Sequence, residues 1–423
     1  MTTDATTPTE DVEAFRLRAR AWLADHLPPA VDDETEESRA WDRQRELQRI
    51  LWAGGFAGIC FPREYGGLGL PPEYQQAFTE ESLPYEMPLR YSVPTLSILA
   101  ATLVDFGTHE QKAEYLPQIL RGDHLWVQFL SEPSGGSDLA GCITRADRDG
   151  DVWVLRGSKI WSTGADDSDY AMCLARTDWD APKHRGLTMF IVKIHQPGIQ
   201  VEPIQQVNGS REFCQEFIDD VVLPADSVIG EVNDGWTVAT RLLSHERNAV
   251  GGGSPYVSGR NRFAESVAGH RDLTYLDLAR DTQRADDPLA RQLVAEARVL
   301  DLVQASLIPR VITGMRNGAM PQQSAAILKL FSATSGVRKA EIGLTIGGTS
   351  AVTWAGADDE SAREQGELFL SRQAECLAGG SNEIQRNIIS ERVLGMPREW
   401  AADRDVAFRD VRRNALPQAP PIR

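Results

Sequence analysis

The stretch Gln128-Phe-Leu-Ser-Glu-Pro-Ser-Gly-Gly-Ser-Asp-Leu-Ala140 decides how this chain is read. It sets a small polar cluster at the end of an apolar run. Hydroxyls and backbone N–H groups are offered there to a ligand, and the glycines let a flat molecule come close. An ordinary glycine-rich turn would use the same residue types. Downstream, Gly157-Ser-Lys-Ile-Trp-Ser-Thr-Gly164 closes a strand with a large ring and a hydroxyl. A tryptophan on a β surface is more often core than the wall of a cofactor site.

The texture around these two motifs is β. Between residues 126 and 230, short apolar runs at 152–155, 170–175, 187–194 and 221–223 are separated by turn residues, and Asp149-Gly150 reads as a hairpin turn. On either side the texture is helical. Phe15, Ala19, Trp22 and Leu23 recur at helical spacing until Pro28-Pro29 ends the run, and Trp41, Leu47, Leu51 and Trp52 form a second pattern that Gly54-Gly55 stops. The glycines and prolines of 62–72 predict a loop, and helical texture returns over 73–121. After Trp236 the helical period runs to about residue 394, with long patterns at 289–312 and 322–344. The expected organisation is a tail at 1–10, a helical domain at 11–125, a β domain at 126–232, a helical domain at 233–400 and a tail at 401–423. The fold class is α+β.

Composition excludes several functions. The formal net charge of −17 repels nucleic acid and anionic membranes, and no basic block offsets it. Five scattered cysteines without a CxxC pair fit free thiols in a reducing compartment. The polar, acidic N-terminus lacks the apolar core of a signal peptide, and no run approaches the roughly 20 apolar residues of a spanning helix. A cytoplasmic location is expected. No phosphate loop, GxGxxG turn, HExxH pair or GxSxG elbow is present, and no metal site is expected. A dinucleotide, if bound, is held without a Rossmann turn.

Together the two motifs resemble the acyl-CoA dehydrogenase family, whose signatures are a Glu-Pro-x-x-Gly-Ser-Asp turn and a Lys-x-Trp-x-Thr strand. Ala378-Gly-Gly-Ser-Asn-Glu-Ile-Gln-Arg-Asn-Ile-Ile-Ser-Glu-Arg-Val-Leu-Gly395 is similar to the family's final signature. The likeness spans about residues 10 to 398. It implies a helical N-terminal domain, a β-barrel-like middle domain and a C-terminal four-helix bundle. It also implies FAD, with Leu130 and Ser131 beside the pyrimidine end of the ring, Trp161 and Thr163 against its other end, and Ser381 and Glu383 at the adenosine. Ser137 would meet the CoA arm of the substrate. The implied reaction is α,β-dehydrogenation of an acyl-CoA thioester, with electrons passing to an electron-transferring flavoprotein. The implied assembly is a homodimer or homotetramer.

The chain departs from the family pattern in places. The commonest catalytic base, a glutamate before the final signature, falls on Gly379, which cannot abstract a proton. Some members carry the base on a bundle helix in Leu-x-x-Glu-Arg, and Leu243-Ser-His-Glu-Arg247 supplies it here. Glu246 is therefore the expected base, with Arg247 positioning the substrate and Gly379 leaving room for it. Gly251-Gly-Gly253 would cost a helix roughly 1 kcal/mol each; room for a bulky acyl group is the preferred reason. The family's Arg-x-x-Phe-Gly, which grips the pyrophosphate, is replaced by Thr282-Gln-Arg-Ala-Asp-Asp-Pro288, where Arg284 is the candidate substitute. Leu344-Thr-Ile-Gly-Gly348 lacks the family's glutamine. These changes leave open a pairing with a complementary subunit, a non-catalytic FAD-binding role, or an oxidase or monooxygenase activity on the same fold.

Overall fold

The computed structural model describes residues 10–30, 40–250, 254–259, 274–353 and 360–411. The reading at Gly251-Gly-Gly253 and most of both tails lie outside them. The described residues fall into two compact units. The first takes those of Met1–Ile204, Glu212–Asn261 and Ala401–Arg423, and the second takes those of Gln205–Arg211 and Arg262–Trp400.

The first unit opens with α1 (Val12–His26), capped by the Asp11 carboxylate on Ala14 N, followed by α2 (Trp41–Ala53) and α3 (Pro72–Ser82). Their inward stripes meet in one cluster of Phe15, Ala19, Leu23, Leu47, Leu51 and Phe78, all buried. The helical stretch α4, residues 89–106, is π-helical over Ser92–Ala100. Pro94 lies in that segment and lacks the N–H that a regular helix requires. A capping box between Thr108 and Gln111 starts α5 (His109–Arg121), which leads into the sheet.

The middle strands are β1 (Trp126–Phe129), β2 (Arg145–Asp149), β3 (Val152–Thr163), β4 (Tyr170–Arg176), β5 (Leu187–Lys193), β6 (Ile199–Pro203), β7 (Phe213–Pro224) and β8 (Val228–Ile229). They form one open sheet in the order β6-β7-β3-β2-β4-β5-β8, with β1 parallel to β4. β2 and β3 make the hairpin expected at Asp149-Gly150. β4 and β5 are buried on both faces, so they read as unbroken apolar runs. Met172, Leu174, Met189 and Ile191 pack toward the helices, while Ala171, Cys173, Phe190 and Val192 join a second core with Phe129, Leu155 and Val221. Helix α6 (Gly235–Val250) packs on β5 and on the π-helical stretch through Val238, Ala239 and Leu242. Helical period places it with the C-terminal helices; by compactness it belongs to the first unit.

Residues 401–411, expected to be tail, are folded onto this unit. Phe408 is buried and lies 3.6 Å from the Arg176 guanidinium, Ala407 bridges to Pro182, and Lys183 pairs with Asp403 at 2.7 Å. The single aromatic in a polar segment is what anchors it.

The second unit contains α7 (Thr274–Asp281), α8 (Pro288–Arg316), α9 (Ala325–Thr353), α10 (Glu360–Ser371) and α11 (Asn382–Ile388). α9 packs against the other four around Leu278, Leu293, Ile342 and Ile346, and breaks at Gly348, where φ is 60° and ψ −136°. Among the described residues no helix is long and apolar enough to cross a membrane.

Candidate functional site

The end of β1 and the adjoining stretch of β3 bring four of the expected residues together. Three carbonyls at the end of β1 and just after it are taken by β3. Ser162 Oγ lies 3.0 Å from Gln128 O, Lys159 Nζ 3.1 Å from Leu130 O, and Ile160 N donates to Ser131 O at 3.0 Å. Leu130 is buried, while Ser131 and Thr163 are half-buried. This holds the segment flat against β3.

Two irregularities shape β3. Its register against β7 slips between Leu155 and Gly157 and again between Ile160 and Ser162. At the first, Gly157 has φ +152°, and a Cβ there would stand 2.8 Å from the Thr144 backbone, so only glycine fits. At the second, Trp161 is the extra residue. Its φ of 69° is left-handed, rare for a bulky residue, and its side chain is 54% exposed with Phe213 edge-on at 5.9 Å. The ring is thus turned out of the core by the bulge.

A buried ion pair supports this platform. Lys159, fully buried, reaches Glu132 at 2.9 Å, and Glu132 also accepts from Ile143 N and Thr144 N at 2.8 Å each and from the Cys142 thiol at 3.0 Å. Burial alone would push the Glu132 carboxyl up, but the Lys159 ammonium and these donors hold it down at about 2. Against the cost of burial, the Cys142 sulfur and the Glu132 carboxylate hold Lys159 protonated, above its ordinary value. Burial pushes the Cys142 thiol up to about 12, so it is inert. All five cysteines are free. Glu132 and Lys159 both stand inside the sequence motifs, but nothing local in those motifs gives either a role. Glu216, a buried carboxyl on β7 opposite Lys159, is missed by motif reading, although it shares inward parity with Cys214 and Ile218.

Ser137 and Asp138 lie on the exposed turn after Glu132, with Asp138 held by Lys183 at 3.0 Å. On α6, Glu246 is half-buried and Arg247 exposed. The turn before them is pinned to α4, where Asp105 Oδ2 lies 2.6 Å from Arg241 Nε and 2.9 Å from His245 Nε2. Burial would raise the Asp105 carboxyl, but the hydrogen bonds from Arg241 and His245 hold it below its ordinary value.

Arg284, Gly379, Ser381 and Glu383 belong to the second unit. Arg284 Nη1 donates to the carbonyls of Thr345 at 2.6 Å and Ile346 at 3.1 Å, just before the α9 break, and Nη2 pairs with Asp287 at 2.7 Å. Its fork is spent on the protein itself. Ser381 caps α11 by accepting from Ile384 N, and Glu383 is exposed in the first turn. Gly379 has φ +63°, a conformation that suits glycine and strains any other residue.

The residues at β1 and β3 fit a flat aromatic cofactor, because an exposed strained ring and a flattened backbone segment lie side by side. Known proteins resemble the chain along most of its length. The chain matches "Acyl-CoA dehydrogenase, N-terminal domain" over residues 9–123, "middle domain" over 128–221 and "C-terminal domain" over 233–394. It is 36% identical to "Acyl-CoA dehydrogenase IpdE1" of Mycobacterium tuberculosis, over 92% of this chain and 99% of that protein. Among solved structures it is similar to the "Tcur3481-Tcur3483 steroid ACAD", with TM-score 0.69, 29% identity, 92% of this chain and 98% of that one. It is also similar to the ChsE4-ChsE5 complex of M. tuberculosis, with TM-score 0.61, 25% identity, 94% of this chain and all of that one.

Proposed function

The chain belongs to the acyl-CoA dehydrogenase family, whose members are FAD-dependent oxidoreductases, and on that premise we propose that it dehydrogenates a bulky acyl-CoA with Glu246 as its base. The observation that carries the base assignment is that Gly379 offers no side chain in a conformation hostile to any other residue, while Glu246 stands on an anchored helix. Leu130, Ser131, Trp161 and Thr163 would hold the flavin ring, and Ser381 and Glu383 its adenosine. Bound FAD supplies the hydride acceptor.

Glu246 takes the α-proton. Arg247, one residue on, orients the acyl-CoA, and Ser137 on the exposed turn meets its CoA arm. One 29%-identical relative is called a "steroid ACAD", and together with the small Gly379 this supports a bulky acyl group. The proposed electron acceptor is an electron-transferring flavoprotein.

A second reading concerns assembly. Arg284, the candidate pyrophosphate clamp, is committed to Asp287 and two carbonyls, and two of the similar structures, Tcur3481-Tcur3483 and ChsE4-ChsE5, are each named for two chains. These observations favour pairing with a complementary chain over an assembly of identical copies. The test of function is anaerobic: flavin-loaded protein is mixed with a panel of acyl-CoA thioesters, and bleaching of the flavin band is followed. Bleaching by bulky thioesters supports the proposal. Oxygen consumption in air without bleaching by any thioester overturns it.

A further inference from the structure

One buried carboxyl is left over by this chemistry. Glu216 lies on β7 directly opposite Lys159 on β3, with no solvent exposure. Its Oε2 is 3.2 Å from Ser162 Oγ, and its Oε1 finds no partner among the described residues. The same Ser162 Oγ is 3.0 Å from Gln128 O, at the end of β1. Ser162 is the residue that resumes the inward face of β3 after the extra residue Trp161. The chain Glu216–Ser162–Gln128 thus ties β7, the bulge and the cofactor segment together.

A hydroxyl has one hydrogen to give. If Glu216 is ionised, Ser162 can donate to the carboxylate or to the Gln128 carbonyl, and one acceptor is left bare. If Glu216 is protonated, its O–H donates to Ser162 Oγ, and Ser162 donates to Gln128 O. Only the neutral acid satisfies both bonds. We infer that Glu216 works as a neutral carboxylic acid whose hydrogen bond to Ser162 locks the Trp161 bulge against the end of β1, making it a positioning residue for the flavin face of the site. This rests on the assignment of Leu130, Ser131, Trp161 and Thr163 to the flavin.

The surrounding charges agree. The facing cation, Lys159, is committed to Glu132 at 2.9 Å, and one ammonium does not neutralise two buried carboxylates. Asp166, in the turn after β3, adds repulsion; Cys214 on β7 donates to it at 3.4 Å. Burial is the main cause that pushes Glu216 up to about 8, against the pull of Ser162 and Lys159. The thiols of Cys142, Cys173 and Cys214 are pushed up to about 12 by burial, so they do not titrate in the same window.

The test follows FAD leaving the holoprotein, read as recovery of flavin fluorescence after dilution at fixed pH values from 6 to 9. Release should be slow and flat at the acid end and rise about five- to tenfold toward pH 9, the loss of one buried hydrogen bond. Glu216→Gln keeps a donor to Ser162 and cannot ionise, so its release should stay slow and flat. Ser162→Ala breaks the chain at the other link and should release FAD quickly at every pH. A flat profile in the parent, or a Glu216→Gln profile that still rises, overturns the inference. The flavin site is checked separately with Trp161→Phe. If bound flavin is quenched identically in parent and Trp161→Phe, the site assignment itself fails.

Discussion

Removing the ammonium of Lys159 should do more damage than any other single change in the middle sheet. Lys159→Met keeps the length and the apolar stem but leaves Glu132 buried among Ile143 N, Thr144 N and the Cys142 thiol with no cation. The magnitude follows from the carboxyl itself. Glu132 is held at about 2 against an ordinary value of 4.5. At roughly 1.4 kcal/mol per unit, that is about 3 kcal/mol of native-state stabilisation. Breaking a buried pair by removing one partner typically costs about 3–5 kcal/mol, in agreement. The sign is fixed by the depressed value. The stabilisation is present above the unfolded value and is lost as pH falls through the folded one, between about 4.5 and 2. Urea unfolding at pH 7, followed by tryptophan fluorescence, should therefore show Lys159→Met less stable by about 3 kcal/mol or more. Its acid unfolding should begin at higher pH than in the parent. The double change Glu132→Gln with Lys159→Met should recover much of the loss, because no charge is then stranded. A loss under about 1 kcal/mol, the range of surface pairs, would refute the reasoning, as would an unchanged acid midpoint.

Three further outcomes are expected. Glu246→Gln should still bind FAD and acyl-CoA but bleach its flavin about 10²- to 10⁴-fold more slowly in anaerobic stopped flow; parent-like bleaching removes Glu246 as the base. Adding Gly379→Glu to that variant should restore little, since the left-handed backbone there costs a non-glycine residue about 1–2 kcal/mol. Asp105→Asn removes the charged acceptor shared by Arg241 and His245 and should loosen α6, seen as faster hydrogen exchange of its amides and weaker acyl-CoA binding with FAD affinity unchanged.

Much of this molecule is readable from residue order. The helical, β, helical succession follows from hydrophobic period alone: Phe15, Ala19 and Leu23 fall at i and i+4, and all three are buried. The doubly apolar runs of β4 and β5 announce strands covered on both faces. Candidate site residues are legible because Gly157, Trp161 and the 128–140 turn sit in short motifs whose chemistry is local.

Other features belong to tertiary structure because they depend on what lies across the sheet. Strict alternation along β3 would point Trp161 inward beside Lys159; the bulge turns the ring out and gives the inward place to Ser162. That slip is set by the partner strand β7, which no local pattern in β3 records. The fate of Arg284 is a packing outcome too. Its fork closes on carbonyls 61 and 62 residues away. The burial of Phe408 depends likewise on a loop more than two hundred residues earlier. Glu132 and Glu216 are both glutamates on inward-facing positions. One is ionised and the other leans toward neutrality because a single ammonium, Lys159, reaches only the first at 2.9 Å. Residue order sets which groups are present, but the distances between them set their charge.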